Sequence, residues 1–113
     1  MKLTQIRELL NAQVLCCDNL LETEVLSACA TDFMSDALAY IKDQGVMLTG
    51  MVNPQVIRTA EMLDTACVVF VRGKVPTDSI LELAAACGVT VLTSGLDLFE
   101  ASGILFNAGI QPA

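Results

Sequence analysis

The chain has 113 residues, of which 54% are hydrophobic and 17% charged, and its formal net charge is -7. This much apolar surface can offset the entropy of ordering the chain, which excludes a disordered protein. The negative charge opposes nonspecific nucleic-acid binding, because a phosphate backbone repels it. The apolar runs are too short to span a membrane, and the first residues lack a signal-peptide pattern, so we expect a cytoplasmic location.

The first part of the chain predicts two helices and two strands. Thr4 is a suitable N-cap for the first helix, and Asp32 for the second, which Gly45 would end. The second strand is so continuously apolar that we expect both of its faces to be buried. The predicted elements are helix 4–10, strand 13–17, loop 19–23, strand 24–30 and helix 34–43.

The rest of the chain alternates strands and helices. Asn53 and Pro54 are typical of a helix start, as is Thr77, and Gly88 is typical of a helix end. The predicted elements are strand 46–50, helix 53–63, strand 66–72, helix 77–87, strand 89–93 and helix 97–107. Each crossover is long enough for a right-handed βαβ unit. The sequence therefore predicts an α/β fold with three layers, a mostly parallel sheet with helices on both faces, over residues 1–113 as one domain.

Polar residues follow the predicted strands at their carboxyl ends, where open parallel sheets bind ligands. Helix N-termini and basic side chains in such a place attract anions. The candidate ligand-binding residues are Thr49, Gly50, Asn53, Arg58, Arg72, Lys74, Thr93 and Ser94. The alternative is that these loops are polar only because loops at strand ends generally are.

The five cysteines favour a structural role. They form no CxxC pair and lie in or beside apolar segments, and the chain has no histidine to complete a zinc site. Buried free cysteine acts as a small apolar residue. We therefore expect no metal and no cofactor. Cys16 and Cys17 are adjacent and leave a redox role open, although neighbouring residues on a strand point to opposite faces.

Signatures of catalysis are missing from the sequence. There is no GxxxxGK[ST] phosphate loop, no GxGxxG fingerprint and no GxSxG elbow. Without histidine, the commonest general base is absent as well. Low charge and high apolar content indicate instead that part of the surface meets another protein.

Three segments resemble the DRTGG domain family: LTGMVNPQVIRTA at 48–60, CVVFVRGKVP at 67–76 and VLTSGLDLFEA at 91–101. The likeness extends over nearly the whole chain. It implies an α/β fold like the N-terminal domain of HPr kinase/phosphorylase and the middle domain of long phosphotransacetylases. In such settings the domain is a regulatory or assembly module, and the family offers no catalytic residues to carry over.

The sequence departs from the family at the motif that gives it its name. The expected turn begins Gly-Asp-Arg, whereas Gly50 is followed by Met51 and Val52 and the nearest arginine is Arg58. We therefore predict a non-catalytic regulatory or interaction module, acting through homodimerisation or a partner protein. The alternative is a sensor that binds a small anionic ligand, such as a nucleotide or phosphorylated metabolite, at the carboxyl ends of the strands.

Overall fold

A computed structural model describes residues 1–41 and 45–113. The strands are β1 (Gln13–Cys16), β2 (Ser27–Ala30), β3 (Gly45–Thr49), β4 (Cys67–Phe70), β5 (Thr90–Thr93) and β6 (Gln111–Pro112). The helices are α1 (Leu3–Leu9), α2 (Met34–Tyr40), α3 (Pro54–Met62), α4 (Asp78–Cys87) and α5 (Leu98–Asn107), with a short 3-10 helix at Asp18–Leu20. None of the helices in this described part of the chain is long and apolar enough to cross a membrane.

The six strands form one sheet in the order β1-β5-β4-β3-β2-β6. Every neighbouring pair is parallel except β1 and β5, which are antiparallel. The central strands β3, β4 and β5 are buried along their whole length. This confirms the predicted α/β fold with a mostly parallel sheet.

Two hydrophobic cores lie on opposite faces of the sheet. Along β4, successive side chains alternate between them: Val69 packs with α1 and α5, whereas Val68 and Phe70 pack with α2, α3 and α4. This alternation follows from the two-residue period of a strand. The protein therefore has the three predicted layers, with two helices above the sheet and three below it.

Three predicted helix starts are confirmed by their hydrogen bonds. The side chain of Asn53 accepts from the N–H of Val56 at 3.2 Å, and that of Asp97 accepts from the N–H of Glu100 at 2.8 Å. Thr77 caps α4 in the same way. Gly88 ends α4 with a φ of 70°, a left-handed conformation that glycine adopts without a Cβ clash.

The predicted N-cap at Thr4 is wrong. Helix α1 begins at Leu3, and the N–H groups of Leu3 and Thr4 donate to the carbonyls of Thr23 and Leu21 at 3.1 and 3.0 Å. The loop thus satisfies the free N–H groups of the first turn, and no threonine cap is needed.

The predictions for the second strand and helix also need correction. Asp32 does not cap α2, whose N-cap is Phe33, and Gly45 begins β3 instead of ending a helix. The predicted end of that helix at residue 43 lies outside the described residues. Strand β2 begins at Ser27 and is not buried on both faces, since Ala30 is exposed. Strand β6 has only two residues and no apolar pattern, and the sequence did not predict it.

Candidate functional site

The turn after β3 is organised by the carboxylate of Asp32. Its Oδ1 accepts hydrogen bonds from the N–H of Gly50 at 2.7 Å and from the hydroxyl of Thr49 at 3.2 Å. The oxygen of Thr49 in turn accepts from the N–H of Met51 at 3.0 Å. Hydrogen bonds to a charged acceptor are stronger than neutral ones. The conformation of this turn is thus held by a side chain from the β2–α2 connection.

Lys74 joins the ends of three neighbouring strands. Its ammonium donates to the carbonyl of Gly50 after β3 at 2.7 Å, and its own carbonyl accepts from the hydroxyl of Thr93 on β5 at 2.7 Å. A Cβ at Gly50 would lie 3.7 Å from Oδ2 of Asp32 and 3.8 Å from Nζ of Lys74. A carboxylate and an ammonium therefore flank the turn. We call Asp32, Thr49, Gly50, Lys74 and Thr93 the tip cluster.

Arg72 lies beside the tip cluster in a left-handed conformation, with a φ of 60°. Its N–H donates to the carbonyl of Leu96 at 2.8 Å, and the N–H of Gly73 donates to the carbonyl of Ser94 at 2.7 Å, which fixes the turn. The exposed side chain lines an open cavity together with Asp97 and Ala30. Within the described residues, no carboxylate is close enough to form an ion pair with Arg72.

Two predicted ligand residues are used inside the fold. Ser94 is buried, donates its hydroxyl to the carbonyl of Leu10 at 2.7 Å, and accepts from the N–H of Leu96 at 3.2 Å. The side-chain oxygen of Asn53 is engaged in capping α3. The side-chain oxygens of both residues therefore have hydrogen-bond partners inside the fold.

Arg58 lies away from the tip cluster. It is exposed on α3, and its charge acts on the thiol of Cys87, the last residue of α4. The pKa of that thiol is raised, chiefly by a hydrogen bond with Glu61, and Arg58 opposes the rise. Cys87 lies just before β5, at the amino ends of the strands, and Arg58 is in the middle of α3. The structure therefore does not bring Arg58 together with the other predicted ligand residues.

Sequence reasoning missed an apolar groove beside α5. The groove has a volume of about 330 Å³ and lies between this helix and the edge of the sheet. We call it the α5 groove, and its main lining residues are Ala28, Ala30, Phe99, Leu105, Phe106 and Pro112. Alanine on β2 leaves the hollow unfilled. The available signal was the seven-residue spacing of Phe99 and Phe106, which places both on one face of a helix.

One end of the α5 groove reaches Arg72. The cavity beside that arginine has a volume of about 520 Å³ and shares Ala30, Phe99 and Ser102 with the groove. Phe99 is 88% exposed and Phe106 is 66% exposed. Exposed aromatic side chains around a hollow make this face a candidate binding surface. Among the residues that the structure describes, no three His, Cys, Asp or Glu side chains are arranged to hold a metal ion.

A protein of known structure has the same fold as this chain. A solved structure of the CBS and DRTGG domains of the regulatory region of Clostridium perfringens pyrophosphatase, complexed with the activator diadenosine tetraphosphate, superposes with a TM-score of 0.76 at 20% sequence identity. The match covers 92% of this chain and 45% of that chain. No curated protein matches the sequence. The model of the DRTGG domain family matches residues 5–108. The chain therefore belongs to the DRTGG domain family.

Proposed function

We propose that this chain is a non-catalytic regulatory domain that acts by pairing with a second copy of itself through the α5 groove. The observation that carries the proposal is Phe99, which is 88% exposed beside an apolar hollow. Membership of the family and the regulatory region named in the similar structure support a regulatory role. A different partner protein could use the same face, as the sequence analysis allows.

The area and shape of the exposed apolar surface favour contact with the same surface of a second copy. The phenylalanine side chains at 99 and 106 expose roughly 300 Å² between them, given about 200 Å² for each ring. An exposed apolar patch of that order is often functional. The exposed ring of Phe99 and a hollow whose floor includes Ala28 and Ala30 are present on one face. In a twofold dimer each copy offers the same patch, so Phe99 of one copy can fill the hollow of the other.

The charges at the rim are also self-complementary. Arg72 and Asp97 line the same cavity at the end of the groove, and each is exposed. A twofold axis that passes between these two residues would bring the arginine of one copy towards the aspartate of the other. Such pairs fix the orientation of a contact more than its strength.

Sedimentation of the intact chain over a range of concentrations tests the proposal. We expect a reversible dimer whose dissociation constant rises at least tenfold in Phe99→Ser, a loss of about 1.4 kcal/mol or more. Met62→Ser is the matched control, since Met62 is 72% exposed but lies on α3, against the opposite face of the sheet. A monomeric wild-type chain, or equal weakening by both substitutions, would contradict pairing through the α5 groove.

Anion binding at the strand ends is the second candidate, and Lys74 and Arg72 are the residues that favour it. The ammonium of Lys74 uses one of its three donors on Gly50. Arg72 is exposed and lines an open cavity. The similar structure is complexed with a nucleotide activator, which supports a nucleotide or phosphorylated metabolite as the ligand class.

A thermal-shift screen against nucleotides and phosphorylated metabolites tests this second candidate. A ligand that binds only the native state raises its stability by mass action. Arg72→Ala is expected to weaken binding by about 1.5–3 kcal/mol, the range for a hydrogen bond to a charged group. Arg58→Ala is the matched control, because Arg58 is also an exposed arginine but lies on α3 and does not line the cavity beside Arg72. The absence of a shift at saturating ligand would reject the candidate.

The cellular location belongs to the same proposal. Five free cysteines in the described residues support a reducing compartment, here the cytoplasm. The family match over residues 5–108 supports one domain of this kind within the given residues.

A further inference from the structure

Cys16 and Cys17 place their sulfur atoms 3.3 Å apart. On a continuing strand, neighbouring side chains would point to opposite faces, as the sequence analysis expected. That expectation is wrong here, because β1 ends at Cys16 and Cys17 takes a left-handed conformation with a φ of 62°. The turn of the backbone brings the second thiol back over the first.

The two thiols have different surroundings. The sulfur of Cys16 also lies 3.2 Å from the carbonyl oxygen of Val89, and burial raises the pKa of this thiol to about 12. Cys17 lies in the turn before the 3-10 helix and is partly exposed. Since the thiolate is the attacking form, the raised pKa makes Cys16 a poor first nucleophile, whereas Cys17 is reached from solvent.

We propose that Cys16 and Cys17 form a redox-active pair that a small-molecule disulfide converts to an internal disulfide. The thiolate of Cys17 attacks the oxidant, forming a mixed disulfide and releasing one thiolate. Cys16 then loses its proton and attacks the sulfur of Cys17, releasing the second thiolate. Two S–H bonds are lost and one S–S bond forms, while the oxidant is reduced to two thiols. The proposal is independent of the α5 groove.

Closing the bond changes the end of β1. The sulfur atoms must move from 3.3 Å to about 2.0 Å apart. The oxidised sulfur of Cys16 also has no hydrogen to donate to the carbonyl of Val89, just before β5. Because β1 already has a register shift between Val14 and Cys16, the strand can adjust there. Oxidation is therefore expected to act locally on the β1–β5 pair.

Treatment of the native chain with oxidised glutathione, followed by intact-mass and peptide mass analysis, tests the proposal. We expect the wild-type protein to lose two hydrogen atoms, with the change confined to the peptide that holds both cysteines. Cys16→Ser should retain glutathione on Cys17, because no second thiol displaces it. Cys29→Ser and Cys87→Ser are controls and should close the bond like the wild type. A lasting glutathione adduct on wild-type Cys17, a bond to another cysteine, or no change would overturn the proposal.

A second measurement does not depend on oxidation. Phenylarsine oxide binds two thiols that can reach one arsenic atom, so the reduced wild-type chain should take up one equivalent. Cys16→Ser and Cys17→Ser should each lose this uptake, whereas Cys29→Ser should keep it. Uptake that survives both single substitutions would place the reactive thiols elsewhere and reject the pair.

Discussion

Asp32 and Gly50 are joined by a 2.7 Å hydrogen bond from the glycine N–H to the aspartate carboxylate. This bond links the connection after β2 to the turn after β3. It also explains why Asp32 does not cap α2: its acceptor oxygen is committed to the neighbouring strand end. The tip cluster is thus built around one carboxylate.

Removal of the Asp32 charge should destabilise the protein. Asp32→Asn keeps the size of the side chain but weakens its bonds to Gly50 and Thr49. We expect the free energy of unfolding in urea to fall by about 1–3 kcal/mol. Asp64→Asn is the control, since Asp64 is exposed and its left-handed φ of 52° suits asparagine. Equal stability of the two variants would show that the carboxylate does not hold the turn.

Gly50 should tolerate alanine and reject leucine. A Cβ at this position lies no closer than 3.5 Å to its neighbours, which is ordinary contact distance. Longer side chains must displace Asp32 or Lys74, so Gly50→Leu should cost about 1–3 kcal/mol of unfolding free energy. Gly50→Ala should stay within about 0.5 kcal/mol of wild type. Urea unfolding measures both, and a large loss in the alanine variant would contradict the described packing.

Ser94 should matter for stability even without any ligand. Ser94→Ala leaves the carbonyl of Leu10 and the N–H of Leu96 without their side-chain partner. The expected loss is about 1–3 kcal/mol of unfolding free energy. Ser102→Ala removes only a bond to the carbonyl of Leu98 on the same helix and serves as control, with an expected change below about 0.5 kcal/mol. If the two variants were equally stable, Ser94 would not be the structural link described here.

Alkaline pH should destabilise the fold through Cys67. Burial raises the pKa of this thiol above its usual value of 9.0. The native state therefore holds the proton more tightly than the unfolded chain, so the associated stability is present below about pH 9 and is lost as pH rises further. In urea unfolding from pH 7 to 11, Cys67→Ala should show a weaker decline than wild type. Val69→Ala, a truncation in the same core, should keep the wild-type slope; matching slopes for all three proteins would contradict the assignment.

The parts of the fold that depend on near neighbours were predictable from the sequence. Asn53, Thr77 and Asp97 cap helices through N–H groups three residues away, so their patterns are local. The role of Asp32 was not predictable, because its partner lies 18 residues further along and meets it only through the register of β2 and β3. The α5 groove likewise depends on how far a helix covers the edge of the sheet.

Amide hydrogen exchange of the native chain at low and high protein concentration tests the central claim most directly. If two copies pair through the α5 groove, protection should rise with concentration at residues 28–30, 98–106, 110 and 111. Residues 54–62 on the opposite face should not change. Concentration-independent exchange throughout, or protection confined to residues 54–62, would contradict the account.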